Sequence, residues 1–210
     1  PVVFCGVNDY RPSMLRGHDN FTGVAENFDA GGTLELALRL HPDTKNILVV
    51  NDYLTTGRAW TASMKKQFSG LTPTAKIRYA PDVSMEDLLT IVNNLSEDSI
   101  VLLGVYFADR DGKYYTYEKV GKMIAGASPV PVYCLLEFNV GYGVVGGSVI
   151  NGYSQGKAAA EMAMRILQGQ DVKTIPVVTS GVTRYVFDHR QLEKFDIDTS
   201  LLPATSEIVN

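Results

Sequence analysis

The 210-residue chain has few of the residues that build metal and redox sites. It contains two cysteines, no C-x-x-C pair and three scattered histidines, so the sequence predicts neither a metal site nor a bound cofactor. Cys5 and Cys134 each lie in an apolar run, where a cysteine is usually a small buried hydrophobe. We therefore expect two buried thiols, with a disulfide between them as the less favoured alternative.

Long hydrophobic runs and basic clusters are also missing. No apolar stretch approaches the roughly 18 residues of a membrane-spanning helix, and no signal peptide is recognisable. A net charge of −4 without a basic cluster argues against nucleic acid or an anionic membrane surface as a partner. Because 45% hydrophobic and 20% charged residues are ordinary globular composition, we expect a folded chain whose partner is a small molecule or another protein.

Apolar strand-like runs alternate with helical patterns through the middle of the chain. The runs cover residues 46–50, 76–80, 99–105 and 130–136. This alternation predicts an α/β fold: a doubly wound parallel sheet with helices on both faces. Residues 33–41 carry leucine at every second position, but their helix-forming composition and Pro42 favour a helix. Residues 154–168 form a further predicted helix, and residues from 201 onward a tail.

Polar and aromatic residues follow these strands at their carboxyl ends, where open α/β sheets bind ligands. The richest such stretch, residues 130–147, runs from a strand into a carboxylate, two aromatics, an amide and several glycines. It predicts a binding cleft, a hinge or both, against the alternative of an ordinary mobile loop. The loop after residues 46–50 precedes a helix for which Thr55 or Thr56 is the expected cap.

Three stretches are similar to known binding motifs but do not match them fully. Residues 141–146 satisfy G-x-G-x-x-G, yet a β-branched strip follows where a nucleotide site needs a helix. Residues 152–158 are one residue short of a phosphate loop. Asp109, Asp111 and Gly112 are spaced as in a calcium loop, but Lys113 occupies a ligand position, so a turn is the better interpretation.

Catalysis is the weaker interpretation of these residues. Glu137 with Asp109 is a conceivable carboxylate pair for a hydrolytic enzyme at neighbouring strand ends. However, no serine lies in a nucleophile elbow, and carboxylates beside aromatic rings are equally typical of sites that hold cations and ligand rings. We therefore expect binding without chemistry.

The order of the segments resembles the type I periplasmic-binding-protein family. The likeness is specifically to substrate-binding proteins of ABC transporters and to the extracytoplasmic sensor domains of bacterial histidine kinases. It is carried by PVVFCGVND at 1–9, NFTGV at 20–24, LRLHPDTKNILVVND at 38–52, residues 130–147, residues 151–178 and RYVFDHRQLEKFDID at 184–198.

The resemblance implies two α/β lobes joined by three crossovers, with the ligand held between them. PVVFCGVND is similar to the last strand of the first lobe, which implies that the first lobe is incomplete here. Residues 1–19 and 147–169 then belong to the first lobe, residues 20–136 and 175–210 to the second, and residues 138–146 to a crossover or hinge.

The resemblance also implies which residues line the ligand cleft. They are Asn8, Tyr10, Asn51, Asp52, Tyr53, Thr55, Thr56, Tyr106, Phe107, Asp109, Glu137, Phe138 and Tyr142. Asn51 and Thr55 are expected to hydrogen-bond a polar ligand head, and Tyr106, Phe107 and Phe138 to form apolar walls. Glu137 or Asp109 would orient a cationic group of an amino acid, amine or heterocycle.

Within the family, the tail LPATSEIVN favours the sensor domain of a membrane-anchored histidine kinase, located outside the cytoplasm and signalling by lobe closure on its ligand. The alternative is the substrate-binding protein of an ABC transporter, whose partner is a permease. A homodimer is left open by the sequence.

Overall fold

A computed structural model of the chain describes residues 1–8, 10–71 and 75–210. Asp9, predicted at the carboxyl end of the first strand, lies outside the described residues. The chain divides into two compact units, one built from Pro1–Phe28 and Ile150–Thr183 and the other from Asp29–Val149 and Arg184–Asn210. It therefore passes from one unit to the other three times.

The described part of the chain contains nine strands, six α-helices and four short 3-10 helices. The strands are β1 (Val2–Val7), β2 (Phe21–Ala25), β3 (Asn46–Val50), β4 (Lys76–Tyr79), β5 (Ser99–Leu103), β6 (Val132–Cys134), β7 (Gly146–Ile150), β8 (Thr183–Asp188) and β9 (Glu207–Val209). The helices are α1 (Ala30–Leu40), α2 (Thr55–Phe68), α3 (Met85–Asn93), α4 (Tyr117–Ala127), α5 (Gly152–Leu167) and α6 (His189–Lys194). None of the described helices is both long and apolar enough to span a bilayer.

The first unit is a small parallel sheet covered by one helix. β1 pairs with β2 in parallel, and Val178 extends the pairing through an isolated bridge to Val24. α5 packs on these strands, with Met162 and Ile175 completing the buried core around Val24. Cys5, on β1, is an exposed free thiol rather than a buried one, because β1 lies at the edge of this sheet with half of its residues in solvent.

The second unit contains a seven-stranded sheet in the order β4-β3-β5-β6-β7-β8-β9. The pairs β3–β4, β3–β5, β5–β6, β6–β7 and β8–β9 are all parallel. Neighbours out of chain order, such as β3 beside β5, are the crossovers that a doubly wound fold requires. The predicted α/β class is therefore confirmed.

Helices cover both faces of this sheet because its central strands are buried on both sides. On one face Leu48 and Val101 pack in a single cluster with Leu88 of α3 and Ile124 of α4. On the other face, α1 and α2 pack together, and His41 at the end of α1 hydrogen-bonds the Tyr133 hydroxyl of β6 at 2.9 Å. The near-continuous apolar strands of the sequence are the signature of such a two-sided core.

Local predictions were mostly confirmed, with two corrections. The helix predicted at 33–41 is present at residues 30–40 despite the alternating leucines, and Leu34 and Leu36 are both buried in the second unit. The predicted tail contains β9, which pairs with β8 through Phe187 and Ile208. The strand predicted at 175–179 is reduced to the bridge at Val178.

The boundaries of the two units differ from those predicted for the lobes. Residues 20–28 and 175–183 lie in the first unit, because β2 pairs with β1 and Val178 bridges β2. Residues 138–146 lie inside the second unit, and the passage between Val149 and Ile150 follows three residues after them. The correspondence of units to family lobes, and the hinge role of residues 138–146, stay predictions.

Candidate functional site

The second unit carries eleven of the thirteen predicted site residues. They follow β3, β5 and β6, three adjacent parallel strands whose carboxyl ends lie at the same edge of the sheet. The other two, Asn8 and Tyr10, belong to the first unit. There Asn8 hydrogen-bonds Glu26, and the Tyr10 ring lies 5.9 Å from the ring of Phe4.

Asn51 is buried and its amide is fully engaged inside the fold. Its Nδ2 donates to Thr61 Oγ1 at 3.1 Å and lies 3.3 Å from Met64 Sδ, and its Oδ1 accepts from the Val105 amide at 3.0 Å. This side chain ties the end of β3 to α2 and to the loop after β5. The hydrogen bond from Asn51 to a ligand stays a prediction. It requires Asn51 to give up one of these internal contacts in exchange for a contact with the ligand.

Asp52 plays the same role with a carboxylate. It is 2% exposed, and it accepts from the Phe107 amide at 2.6 Å and from the Leu54 amide at 3.1 Å. Burial raises its pKa above the ordinary value, although hydrogen bonds from the N–H groups of Phe107, Leu54, Ala108 and Gly57 work in the opposite direction. One carboxylate thereby fixes two strand-end loops against each other.

Asp52 also explains why neither predicted threonine caps α2. The cap position is Leu54, without a side-chain hydrogen bond, and Thr55 and Thr56 are the first two helical residues. The Asp52 carboxylate supplies the acceptor that a capping side chain would provide. Tyr53, beside it, donates its hydroxyl to the Ala80 carbonyl at 2.8 Å and leaves its ring partly exposed.

Tyr106 and Asp109 shape the loop after β5. Tyr106 is 5% exposed, its ring lies 6.4 Å from that of Tyr115, and burial raises the pKa of its hydroxyl. Asp109 accepts from the Tyr115 hydroxyl at 2.8 Å and from the amides of Met85, Asp111 and Lys113. Burial opposes ionisation of Asp109, but these four donors outweigh it and lower its pKa. The predicted turn at Asp109–Gly112 is therefore organised by Asp109 itself.

Phe107, Tyr117 and Phe138 form an accessible row of aromatic rings, called here the aromatic row. The Phe107 and Tyr117 rings meet edge-on at 5.3 Å, and the Tyr117 and Phe138 rings stack at 5.1 Å with 20° between their planes. Phe138 is 52% exposed. Asn139, 1% exposed, holds the row by donating from Nδ2 to the Tyr117 carbonyl at 2.8 Å. Tyr117 was missed in the sequence because it begins a helix rather than ending a strand.

Glu137 belongs to a group of three charges, called here the ion triad. Its Oε1 accepts from Arg184 Nη2 at 3.0 Å, and Arg184 Nη1 lies 3.1 Å from Glu207 Oε2. Arg184 Nε is buried and has no hydrogen-bond partner among the residues that the structure describes. Arg184 and Glu207 lie far along the chain at the starts of β8 and β9, so no local pattern linked them to Glu137.

Tyr142 lies in the loop before β7, beside Gly121 of α4, whereas the aromatic row meets α4 at its first residue, Tyr117. Tyr142 is 42% exposed and, with Lys122, Arg190 and Lys194, lines a separate cavity. Within the described residues, no group of three or more histidine, cysteine, aspartate or glutamate side chains has an arrangement that would hold a metal ion. The strand-end edge thus presents aromatic surface and one ion triad, while its polar residues Asn51, Asp52 and Asp109 are engaged internally.

Two solved structures have the same fold as this chain. The chain is similar to an ABC domain in complex with L-Trp from Streptococcus pneumonia, with 17% identity, a TM-score of 0.68, and coverage of 100% of this chain and 72% of that one. It is also similar to the ligand-free, open structure of a substrate binding protein with adhesive properties from Clostridium difficile. That match has 20% identity, a TM-score of 0.68, and coverage of 91% and 63%. At these identities the likeness establishes the fold, which is that of type I periplasmic binding proteins.

The sequence places the chain more narrowly. The model of the family described as "ABC transporter substrate binding protein" matches residues 1–202, and the chain belongs to that family. A curated relative, the tyrosine-binding protein of Clostridioides difficile (strain R20291), is 24% identical over 204 residues, which cover 94% of this chain and 57% of the relative. The chain thus spans little more than half the length of that protein.

These findings confirm the predicted family and support the transporter alternative over the kinase sensor. The family match is to transporter substrate-binding proteins, and none of the relatives named above is a kinase sensor domain. The same matches are to binding proteins rather than to enzymes, as expected from the mixture of aromatic rings and carboxylates.

Proposed function

We propose that this chain is the ligand-binding part of an ABC-transporter substrate-binding protein and that its ligand is an aromatic amino acid. The observation that carries the proposal is the position of the aromatic row directly beside the ion triad, joined at Glu137 and Phe138. A zwitterionic amino acid with an aromatic side chain needs both kinds of surface within a few ångströms.

The aromatic row suits the side chain of such a ligand. Tyr117 and Phe138 already stack on each other, which holds the half-exposed Phe138 ring in place before any ligand arrives. The aromatic ring of the ligand can stack on Phe138 at little cost in side-chain entropy, since the Tyr117–Phe138 pair is already ordered. Indole and phenol rings both fit this role, in line with the tryptophan and tyrosine named for the two relatives.

The ion triad suits the charged head. Two carboxylates and one guanidinium leave it with one uncompensated negative charge, which favours the ligand ammonium beside Glu137 or Glu207. The Nε–H of Arg184 is buried without a partner among the described residues, and a turn of the guanidinium group on ligand binding would expose it as a donor to the ligand carboxylate. Each end of the zwitterion then has a partner of opposite charge.

The transporter context follows from the family and implies an extracytoplasmic location with a membrane permease as partner. The same proposal includes closure of two lobes on the ligand. It also includes ligand contacts from Asn8 and Tyr10 of the first unit and from Tyr53, Thr55 and Thr56 of the second. A histidine-kinase partner is not proposed, because no comparison supports it.

The test is isothermal titration of the 210-residue chain with L-tryptophan and three analogues. Tryptamine lacks the carboxylate, indole-3-propionate lacks the ammonium group, and L-leucine lacks the aromatic ring. We expect L-tryptophan to bind at least tenfold more tightly than any of the three, because each removed partner is worth about 1.5–3 kcal/mol. Equal binding of L-leucine would exclude the aromatic row as the recognition surface.

The variant Arg184→Gln assigns the carboxylate contact. It is expected to weaken L-tryptophan binding about tenfold, because the ligand carboxylate loses its partner. Tryptamine has no carboxylate, and its ammonium group meets a more negative pair of carboxylates once Arg184 is gone, so its binding should be unchanged or stronger. Arg39→Gln is the matched control, since Arg39 lies in the same unit and donates to the Leu201 carbonyl at 3.0 Å instead. An equal loss for both ligands in Arg184→Gln would contradict the assignment.

A further inference from the structure

We propose that the second unit holds a second binding site, for a small dianion, in the cavity beside Tyr142. The cavity has a volume of about 490 Å³, within the range of roughly 300–1,000 Å³ that small-molecule sites occupy. Its lining contains Lys122, Arg190 and Lys194 and no aspartate or glutamate. It is called here the basic cavity.

The charge of the basic cavity is opposite to that of the chain. The whole sequence has 19 lysine and arginine residues against 23 acidic ones, so three cations without an acidic neighbour in the lining are a local departure. Arg190 is partly neutralised, because its Nη2 lies 3.3 Å from Oδ2 of Asp188, whose side chain is fully buried. Three cations less this one carboxylate leave about two positive charges, which match a dianion of phosphate or dicarboxylate type.

The backbone beside the cavity is built for close approach. Gly141 and Gly143 have φ of 88° and 96°, in the left-handed region that favours glycine. A Cβ on Gly143 would lie 3.0 Å from Cβ of Ala125, so the loop passes α4 with no room for a side chain. Tyr142, between the two glycines, contributes a partly exposed ring to the wall.

Gln191 adds an unsatisfied polar group to the lining. Its side-chain oxygen is buried and has no hydrogen-bond partner in the described part of the chain. Because the two ends of an amide are nearly isosteric, a half-turn of the Gln191 amide presents its NH₂ donor at that position instead. A bound anion supplies the acceptor that this donor needs.

The basic cavity is separate from the amino-acid site. The aromatic row meets α4 at its first residue, Tyr117, whereas Lys122 and Gly126 line the cavity five and nine residues further on. At 1.5 Å per residue this is about 8–14 Å along the helix axis. The inference therefore stands independently of the proposed amino-acid ligand.

Isothermal titration of the 210-residue chain with inorganic phosphate and with succinate, at fixed ionic strength, tests the site. We expect saturable binding of one anion per chain, weakened about tenfold by Lys122→Gln and by Lys194→Gln, since each removes one charged donor. Both lysines are exposed, so neither change disturbs the core. Phosphate binding without succinate binding assigns a phosphate site, and the converse assigns a dicarboxylate site.

Lys119→Gln is the matched control. Lys119 lies on the same helix, but its Nζ is 5.7 Å from the Tyr115 ring and it does not line the cavity. Its removal should change the affinity for either anion less than twofold. No saturable binding of either anion to the unmodified chain, or the same loss in Lys119→Gln as in Lys122→Gln, would overturn the proposal.

Discussion

Replacing Phe138 by alanine removes the outermost ring of the aromatic row. An aromatic side chain buries about 150–250 Å² when covered, and Phe138 is 52% exposed, so a ligand ring has about 100 Å² left to cover. At about 25 cal/mol per Å² this area is worth about 2.5 kcal/mol. Because a ligand covers only one face of the ring, we expect Phe138→Ala to lose about 2 kcal/mol of binding free energy. This corresponds to a dissociation constant for L-tryptophan that is about thirtyfold higher.

The same substitution should have little effect on folding. Phe138→Ala forfeits the stacking contact with Tyr117, worth about 1 kcal/mol, which corresponds to a decrease in melting temperature of about 2–4 °C. Titration calorimetry at a temperature well below the transition separates the two effects. A large loss of affinity with a small loss of stability is therefore the expected signature.

Tyr114→Ala supplies the control for this experiment. Tyr114 is 73% exposed in the same unit and is not part of the aromatic row. Its replacement should leave the affinity for L-tryptophan within twofold. If Phe138→Ala binds L-tryptophan as tightly as the unmodified chain, the ligand does not stack on Phe138 and the reasoning from the exposed ring is refuted.

Two further substitutions test the parts of the fold that support the site. Asp52→Ala leaves four backbone N–H groups without their carboxylate acceptor. We expect the free energy of unfolding to fall by about 3 kcal/mol and the melting temperature by about 6–12 °C. The control Asp82→Ala, at an exposed position, should change the melting temperature little. Burial lowers the pKa of His41 in the folded state, so its protonation on unfolding removes stability as the pH falls below about 6.5. His41→Gln should therefore reduce the dependence of the melting temperature on pH between about pH 5 and pH 7. An unchanged dependence would show that another group causes it. His189→Gln, at an exposed histidine, is the control.

Periodicity and composition predicted the sheet and its helices because those signals are local. The strand at Asn46–Val50 and the buried face of α2, formed by Trp60, Met64 and Phe68, are as predicted. The helix at Ala30–Leu40 was recoverable because intrinsic propensity outweighed a misleading alternation of leucines. β9 was missed because three residues pairing with a distant strand leave no pattern of their own.

The site was only partly predictable, for a related reason. The sequence located the polar residues at strand ends, but whether a side chain there faces a ligand or its own backbone depends on the neighbouring loop. Asn51 and Asp52 bond to amides after β5, more than fifty positions away. Arg184 and Tyr117 come from a strand start and a helix start, which a search of strand ends omits.

The central claim is that an aromatic amino acid stacks on the row formed by Phe107, Tyr117 and Phe138, with its charged head at the ion triad. The most direct measurement is an intermolecular NOE experiment on the 210-residue chain with L-tryptophan. The account predicts NOEs from the indole protons to the ring protons of Phe138 and Tyr117, and their loss in Phe138→Ala. Saturating L-tryptophan that gives NOEs to other rings, such as those of Tyr114 or Tyr142, and none to Phe138 would contradict it.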